Sequence, residues 1–403
     1  MPPQEHLERY ADVLVNWALG GGDGIRPGEV VHVTAPESAR PLYIESCRAI
    51  WQAGGHVIGD YRPDDDDERN WERVFYDTAS DEQLDFFAER YERGFVDEVD
   101  HGLYVMCWND PHSLSEVDPA RMMRRRVSQS PFREWLDAKE DAAEYTWTIG
   151  LYPTPGMAAE ARLSIEEYWE QIVVACFLDD PDPVQRWREV TAQVEAQCAA
   201  LNAMPIERLH VEGEDIDLWL TLGEKRAWKG GGGVNVPSFE VFTSPDWRGT
   251  EGRIRFSEPL YIYGSLIKGV ELEFRDGGVV EARAEENLAL LTEMIATEGA
   301  DRVGEFSLTD GRLSRITKFM ANTLYDENVG GPFGNTHLAL GRSLRLCYDG
   351  DPDTVPDEEW ERLGFNDSVV HTDIVSTTDR TVTAVLTDGT ERVIYASGKF
   401  LDS

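Results

Sequence analysis

Residues 30–34 (VVHVT), 38–53 (SARPLYIESCRAIWQA) and 56–61 (HVIGDY) follow one another with only short turns between them. The two short apolar runs predict strands, and the middle run, opened by Ser38 with Pro41 in its first turns, predicts a helix. A strand, a helix and a second strand in this order form a βαβ unit, which joins parallel strands. This stretch therefore predicts an α/β fold with an open sheet.

The same alternation extends in both directions from this unit and continues to about residue 205. We expect residues 1–205 to form an N-terminal α/β domain whose open, largely parallel sheet is flanked by helices. The further elements predicted for this domain are helices over 6–20, 67–94, 118–141 and 184–203, and strands over 103–108 and 145–150.

A glycine cluster, Gly20-Gly21-Gly22-Asp23-Gly24, ends the first predicted helix. Phosphate-binding glycine loops follow a strand and open a helix, whereas this cluster follows a helix and precedes a strand. We therefore interpret the cluster as a helix cap and turn, and not as a nucleotide site.

Two charged runs lie in the same half of the chain. Four adjacent side chains, Asp64-Asp65-Asp66-Asp67, cannot converge on one cation, and we interpret this run as a solvated loop. Arg124-Arg125-Arg126 is a dense basic run in an acidic chain. We interpret it as a helix face paired with local acidic residues, with a subunit contact or a substrate entrance as the alternative.

The pattern changes after Pro205 and strands dominate the remainder. We expect residues 206–403 to form a C-terminal α+β domain rich in antiparallel sheet, since a chain of 403 residues is long enough for two or three domains. The predicted strands cover 209–221, 252–257 and 260–283, a helix covers 284–297, and a final hairpin with its first strand at 382–386 turns at Asp388-Gly389.

The chain is strongly acidic, with 76 Asp and Glu against 38 Lys and Arg and a formal net charge of -38. Only six of the basic residues are Lys. Since the Debye length is roughly 3 Å at about 1 M salt, concentrated salt screens the repulsion of such a surface. We therefore expect a halophilic source, with an ordinary acidic protein as the alternative. Binding to nucleic acid is disfavoured because no large basic face is available.

The five Cys are scattered, odd in number and free of any C-x-x-C pair, which favours reduced thiols in a cytoplasm. The amino terminus has neither a basic start nor an apolar run of signal length, and no segment offers about 18 uninterrupted apolar residues. We expect a soluble, cytoplasmic protein without membrane contact.

Four short motifs between residues 235 and 373 carry side chains of the kinds that bind divalent cations. Carboxylates and imidazoles in this combination are the ligand types that hold a pair of such ions, which predicts a two-metal hydrolase. The candidate ligands are Glu240, Glu305, His337, His371 and Asp373.

Taken alone, each motif has an ordinary explanation. A single Glu near a strand is usually exposed, and His337, which opens an apolar run, would by default be a core histidine. His371-Thr372-Asp373 is more informative, because residues i and i+2 of a strand project from one face and can present two ligands to one cation.

Further motifs surround these residues in a fixed order: RPGEVV (26–31), GLYPTP (150–155), NVPSFEVFTSP (235–245), GEFSL (304–308), TLYDEN (323–328), HLALG (337–341) and the His-x-Asp strand. Together they closely resemble the thermophilic metalloprotease family of aminopeptidases, the aminopeptidase T or peptidase M29 type. The resemblance runs over nearly the whole chain, and several motifs in the same order are far more specific than any one.

The resemblance implies a metal-dependent aminopeptidase that hydrolyses the amino-terminal residue of peptides through a water activated by two metal ions. It implies that Glu240, Glu305, His337, His371 and Asp373 bind two divalent ions, usually zinc or cobalt, and that the protein is a homodimer. Manganese also suits oxygen and nitrogen ligands. We assign Glu305 as the bridging and catalytic carboxylate, with a carboxylate that binds no ion as the alternative general base.

One departure from the family concerns a Tyr seven residues beyond the His of His-Leu-Ala-Leu-Gly, where this chain has Leu344. Tyr348 lies four residues too late to be taken as its equivalent. Two alternatives therefore remain: another two-metal hydrolase, such as an amidase or a dipeptidase, and a metal-binding or peptide-binding protein without catalysis.

Overall fold

The structure is a computed structural model that describes residues 2–63, 70–262 and 265–401. The acidic run at residues 64–67, interpreted above as a solvated loop, lies outside the described residues. No helix in the described part of the chain is long and apolar enough to cross a membrane.

The strands, in chain order, are β1 Val30–Pro36, β2 His56–Arg62, β3 His101–Met106, β4 Thr146–Leu151, β5 Ile206–Gly213, β6 Ile216–Thr221, β7 Lys229–Gly230, β8 Glu240–Thr243, β9 Asp246–Arg255, β10 Leu260–Ile262, β11 Ser265–Ile267, β12 Glu271–Arg275, β13 Gly278–Arg283, β14 Val303–Thr309, β15 Asn335–Gly341, β16 His371–Ser376, β17 Arg380–Leu386, β18 Glu391–Ala396 and β19 Lys399–Phe400.

The α-helices, in chain order, are α1 Gln4–Val13, α2 Arg40–Gln52, α3 Trp71–Thr78, α4 Asp81–Asp85, α5 Glu89–Glu98, α6 Pro119–Ser128, α7 Ser130–Asp141, α8 Pro155–Glu160, α9 Ile165–Ala175, α10 Pro183–Asn202, α11 Leu288–Ile295, α12 Thr323–Asp326 and α13 Asp357–Arg362.

The chain divides into two compact units, Met1–Arg188 with Gly232–Pro237, and Glu189–Gly231 with Ser238–Ser403. Helix α10 contains the point at which the chain passes from the first unit to the second. The division at residue 205 stays a prediction of the sequence.

The first unit contains a four-stranded sheet in the order β2-β1-β3-β4, and all its neighbouring strands are parallel. Val31 and Val33 of β1 and Leu103 of β3 are fully buried, as expected for the centre of a sheet covered by helices. The predicted α/β class with an open parallel sheet is therefore confirmed for this part of the chain.

The first helix is shorter than the predicted 6–20. After α1 the chain forms one π turn, Leu14–Ala18, and one 3-10 turn, Leu19–Gly22. Gly20 and Gly21 both have φ near +67°, a left-handed conformation that favours glycine. The interpretation of the glycine cluster as a cap and turn is confirmed.

Two long predicted helices are broken into shorter ones. Of the predicted helix over 67–94, residues 67–69 lie outside the described residues, and the rest falls in α3, α4 and α5, because Ser80 and Gln83 make a reciprocal capping box that starts a new helix. The stretch 118–141 forms α6 and α7, with Pro131 in the first turn of α7, where its missing N–H costs nothing. Arg124 pairs with Asp81 and Asp85, which confirms the interpretation of the basic run as a helix face paired with local acidic residues.

The second unit contains two larger antiparallel sheets, as predicted. One has eight strands in the order β13-β12-β9-β6-β5-β17-β18-β19, and the other has five in the order β16-β15-β14-β8-β7. The predicted strand region 209–221 is a hairpin of β5 and β6, and the predicted strand region 260–283 contains, among its described residues, β10, β11, β12 and β13. The final hairpin turns at Gly389, which has φ of 81°, as the Asp-Gly pair predicts.

Candidate metal centre

The five-stranded sheet presents all the candidate ligands from one face. Glu305 of β14 and Asp373 of β16 both pair in register with Ala339 of β15, which lies between them. His337 lies two residues before Ala339 on the same strand, and His371 lies two residues before Asp373. Because strand side chains alternate between faces, these four side chains project together.

Glu240 completes the set from the neighbouring strand. It begins β8 and pairs with Thr309, two positions along β14 from Ser307, the residue opposite His337. The structure therefore brings together all five residues that the sequence predicts as ligands, and they lie on four adjacent strands of one sheet.

Small residues on β15 leave room above this face of the sheet. Ala339 carries only a methyl group between Glu305 and Asp373, and Gly341 carries no side chain opposite His371. Gly341 has φ of 106°, and a Cβ at this position would lie 2.0 Å from the carbonyl oxygen of Val370. Glycine is therefore required at position 341 on two grounds.

One group of ligand atoms is formed by Glu240, Glu305 and His337. The Nε2 atom of His337 lies 3.3 Å from Oε1 of Glu240 and 3.6 Å from Oε1 of Glu305. All three residues are buried. Their ligand atoms lie within 4.8 Å of one another, a spacing at which one cation could contact all three.

A second group is formed by Glu305, His371 and Asp373. The Nε2 atom of His371 lies 3.2 Å from Oε2 of Glu305 and 3.7 Å from Oδ1 of Asp373. Glu305 therefore belongs to both groups and directs a different carboxylate oxygen to each. A shared carboxylate of this kind is how two neighbouring cations are bridged.

The candidate ligands fit a divalent cation in two ways: by their chemical types, and because some of their buried polar atoms lack hydrogen-bond partners. Both ring nitrogens of His337 and the Oδ1 atom of Asp373 are buried without a hydrogen-bond partner among the described residues. Buried polar atoms without partners are costly in a folded protein, and coordination to a metal ion would satisfy them. The mixed oxygen and nitrogen donors suit zinc, cobalt or manganese.

The charges within the cluster shift the pKa values strongly. Burial, with the charges of Glu305 and Asp373, raises the pKa of Glu240 to about 7, although His337 opposes the shift. Burial alone would raise the pKa of Glu305, but the neighbouring imidazoles of His337 and His371 lower it to about 2.

The pKa values of the two imidazoles are shifted upward, opposite to the effect of burial. Burial would lower their pKa values, yet the surrounding carboxylates raise the pKa of His337 and of His371 to about 9. The carboxylates therefore favour positive charge at this site, supplied by protons or by a cation. Since a metal ion requires neutral imidazoles, cation binding at this site releases protons.

Two candidate ligands make hydrogen bonds that orient them. The Oγ–H of Ser238 donates to Oε2 of Glu240 at 3.0 Å. The Nδ1–H of His371 donates to the backbone carbonyl of Arg342 at 2.8 Å, so in the neutral ring the lone pair lies on Nε2, the atom that would bind a cation. Such supporting contacts fix the orientation of metal ligands.

Glu327 is a further carboxylate of this region that was not predicted as a site residue. It is buried, and burial together with the charges of Glu240, Asp373 and Glu305 raises its pKa well above the usual range. Its neighbour Asn328 accepts a hydrogen bond from the backbone N–H of Phe239, which ties the segment to the start of β8. The only signal in the sequence was the motif TLYDEN (323–328), which we used for the family resemblance alone.

Leu344 and Tyr348 lie after β15. The backbone N–H of Leu344 donates to Oγ of Ser244 at 2.8 Å. The hydroxyl of Tyr348 accepts from Nζ of Lys225, and its ring packs in a separate apolar cluster. That cluster contains Tyr348, Trp360, Leu363 and Phe365.

Comparisons with known proteins identify the family to which this chain belongs. The peptidase M29 model, described as thermophilic metalloprotease, matches residues 3–400. Aminopeptidase 2 of Geobacillus stearothermophilus is 27% identical over 98% of this chain and 98% of its own length. Aminopeptidase T of Thermus aquaticus is 31% identical over 73% of this chain and 74% of its own.

A solved structure shows that the fold is shared as well. Wild-type AmpT from Thermus thermophilus is 24% identical, covers 98% of this chain and 99% of its own, and superposes with a TM-score of 0.81. The family match, over residues 3–400, covers both compact units of the chain. This chain belongs to the thermophilic metalloprotease family, peptidase M29, and is a metallopeptidase.

Proposed function

We propose that this metallopeptidase removes the amino-terminal residue of peptides with the help of two divalent cations. Glu240, Glu305 and His337 would hold one ion, and Glu305, His371 and Asp373 the other. The observation that carries the proposal is the position of Glu305, whose two oxygens face two different histidines at 3.6 and 3.2 Å.

When bound, such ions supply Lewis acidity toward a carbonyl oxygen and toward an attacking water. Glu305 and Asp373 supply negative charge that offsets the repulsion between two cations. The leaving amine requires a proton, and Glu327 is the group proposed to supply it, because its burial and the charges of Glu240, Asp373 and Glu305 raise its pKa well above the usual range. We assign proton transfer to these carboxylates, with Glu305 as the base and Glu327 as the acid.

The relatives favour an aminopeptidase over other hydrolases. Two aminopeptidase relatives each match 98% of this chain, and the matches cover 98% and 99% of their own lengths. Leu344 is the observation that favours the second candidate, another two-metal hydrolase such as an amidase or dipeptidase, because this chain has an apolar residue where the resemblance places a Tyr. The five ligand positions argue against a binding protein without catalysis, since binding alone does not require a bridged pair of ions.

Three further parts of the proposal come from the sequence. The formal net charge of -38 supports activity in concentrated salt. The family resemblance supports a homodimer, and the scattered cysteines support a reducing cytoplasm.

The proposal is tested by hydrolysis of leucyl and other aminoacyl chromogenic amides in about 2 to 3 M KCl, a range chosen for strong screening. Activity should disappear with a chelator and return with cobalt, zinc or manganese. Glu305→Gln, which keeps the shape and removes the charge, should reduce kcat by at least about 100-fold. The matched control is Glu281→Gln, an exposed carboxylate of β13, which should leave activity unchanged.

Peptides with blocked amino termini separate the two candidates. An aminopeptidase cleaves a free-amino peptide and spares its acetylated copy. Equal cleavage of both would establish the other hydrolase. No cleavage of either by folded protein with bound metal would refute both proposals and leave a binding role.

A further inference from the structure

His371 differs from the other candidate ligands in how it is held. Its side chain is 23% exposed, whereas that of His337 is 1% exposed. Close packing therefore fixes the ring of His337, but packing alone does not fix the ring of His371. His371 also begins β16, so it lacks a preceding strand residue to constrain it.

The hydrogen bond to Arg342 supplies the missing constraint. A backbone carbonyl only accepts hydrogen bonds, so Nδ1 of His371 must carry the proton in this 2.8 Å contact. The bond fixes both the tautomer and the direction in which Nε2 points, toward Glu305 and Asp373. The direction of the Arg342 carbonyl therefore decides whether His371 can serve the second ligand group.

Asn366 holds the residues on both sides of Arg342. It is buried, and its Nδ2 donates to the carbonyl of Gly341 at 2.6 Å and to that of Gly299 at 2.8 Å. Its backbone N–H donates to Oγ of Ser343, and its carbonyl accepts from the N–H of Ser343, both at 2.9 Å. Asn366 is thus hydrogen-bonded to both ends of the segment 341–343.

Two further contacts leave the segment little freedom. The N–H of Arg342 donates to the carbonyl of Val370 at 2.7 Å, and the N–H of Gly341 donates to the carbonyl of Arg302 at 2.8 Å. The side chain of Arg302 in turn donates to Oδ1 of Asn366. The amide of Asn366 is therefore satisfied on both its oxygen and its nitrogen, and its orientation is determined.

We propose that Asn366 is a positioning residue of the metal centre, which fixes the Arg342 carbonyl and through it the tautomer and direction of His371. This inference rests on the proposed function, because it assigns Asn366 to one of the two cations. The consequence is selective: loss of the Asn366 amide weakens the ion held by Glu305, His371 and Asp373 and spares the ion held by Glu240, Glu305 and His337.

The test uses the full-length protein freed of metal by a chelator and then titrated with Mn²⁺ alone, followed by calorimetry. His371→Ala and Glu240→Ala assign the two binding events to the two ligand groups. If neither substitution changes Mn²⁺ binding, the proposed metal centre itself fails. If they do change it, the centre stands and only the role of Asn366 is in question.

Asn366→Asp keeps the size and the acceptor for Arg302 but removes both Nδ2 donors. We expect it to weaken the event assigned to His371 by about 10- to 100-fold and to leave the other event within about twofold, a range typical for residues that support metal ligands. Ser238→Ala is the reciprocal control, because it removes the hydrogen bond to Glu240 and should weaken only the other event.

A milder variant keeps the test decisive if Asn366→Asp does not fold. Ser343→Ala removes one of the bonds between Asn366 and the segment 341–343, and it should weaken the same event by a smaller factor. A merely structural role would instead lower the thermal stability and leave the two events in their original ratio. Equal weakening of both events, or none, in a folded variant would overturn the proposal.

Discussion

Glu305 and Asp373 lie on the two strands that flank β15 and both pair in register with Ala339, so on the site face the side chain between theirs is a single methyl group. We predict that Ala339→Val abolishes binding of at least one cation, because its additional methyl groups would occupy the space between the two carboxylates. Overpacking of this kind costs about 1 to 3 kcal/mol of stability, which a protein of this size should tolerate. Calorimetric titration with Mn²⁺ checks the prediction.

The control for Ala339→Val is the same change elsewhere in the unit. Ala384 of β17 is equally buried but belongs to the eight-stranded sheet. Ala384→Val should cost similar stability and leave Mn²⁺ binding intact. Full binding by a folded Ala339→Val protein would contradict the geometry of the site.

Leu344→Tyr should raise kcat on aminoacyl amides. The family resemblance places a Tyr here, and a hydroxyl near the ligands can donate to the oxygen on which charge develops. Loss of one such donor typically costs about 100- to 1,000-fold in kcat, so its gain, in an unoptimised position, should give about 10-fold or more. Steady-state kinetics at saturating metal would measure the change.

Leu344→Phe separates the hydroxyl from the ring. It adds the same aromatic bulk without a donor and should not raise kcat. Equal gains for Phe and Tyr would show that filling space near the site, and not hydrogen bonding, limits the rate.

Stability should fall as pH rises because of Asp326, a buried residue of α12. Its carboxylate accepts hydrogen bonds from the backbone N–H groups of Met320 and Asn322, which lower its pKa. Burial, reinforced by the charge of Glu258, outweighs them and raises the pKa from 3.8 to about 8. The folded state therefore binds this proton more tightly than the unfolded state.

The sign follows from that difference. The contribution of Asp326 is fully present below about pH 4, the range in which the unfolded chain is also protonated, and is lost as pH rises through about 8. In chelator, Asp326→Asn should remove up to about 1.4 kcal/mol per pH unit from this downward slope. Urea unfolding of both proteins between about pH 4 and 8 gives the free energy of unfolding as a function of pH. Identical slopes for the two proteins would show that Asp326 does not titrate in this range.

The thermal midpoint should rise when KCl is increased from about 0.1 to 2 M, because the Debye length falls from about 10 Å to less than about 3 Å over this range. The charge responsible is the net -38 of the chain. Sucrose, which stabilises by exclusion from the surface without screening charge, is the control. If sucrose at equal osmolality gave the same rise, screening would not be its cause.

Local periodicity was enough to predict the parallel sheet of the first unit. The stretch over β1, α2 and β2 has a clear change of period, and each element forms close to its predicted bounds. The break between α3 and α4 was also readable, since Ser80 and Gln83 have the spacing of a capping box. The apolar spacing continues through this cap, so periodicity alone predicts one long helix.

The candidate site was predictable only in part. Glu240, Glu305, His337, His371 and Asp373 were identified by motif, and the shared face of His371 and Asp373 followed from strand alternation. Strand pairing determines the rest. A register shift between Val303 and Glu305 sets which face Glu305 joins, and no local pattern in the sequence reveals it.

Glu327 illustrates a second limit. An adjacent Asp-Glu pair in a polar motif is most simply taken as exposed. Glu327 becomes buried, and its pKa is affected by the charges of Glu240 and Asp373, only when segments distant in sequence fold together. The same holds for Asn366, whose partners Gly299, Gly341 and Ser343 are supplied by two other segments.

All the candidate ligands belong to the second of the two compact units. The unfolded chain offers them scattered between residues 240 and 373, so a cation would bind only after β8, β14, β15 and β16 have paired. Its binding energy therefore adds to the unfolding free energy of that unit alone. Withdrawal of metal should therefore lower the unfolding temperature of the unit that carries the candidate ligands.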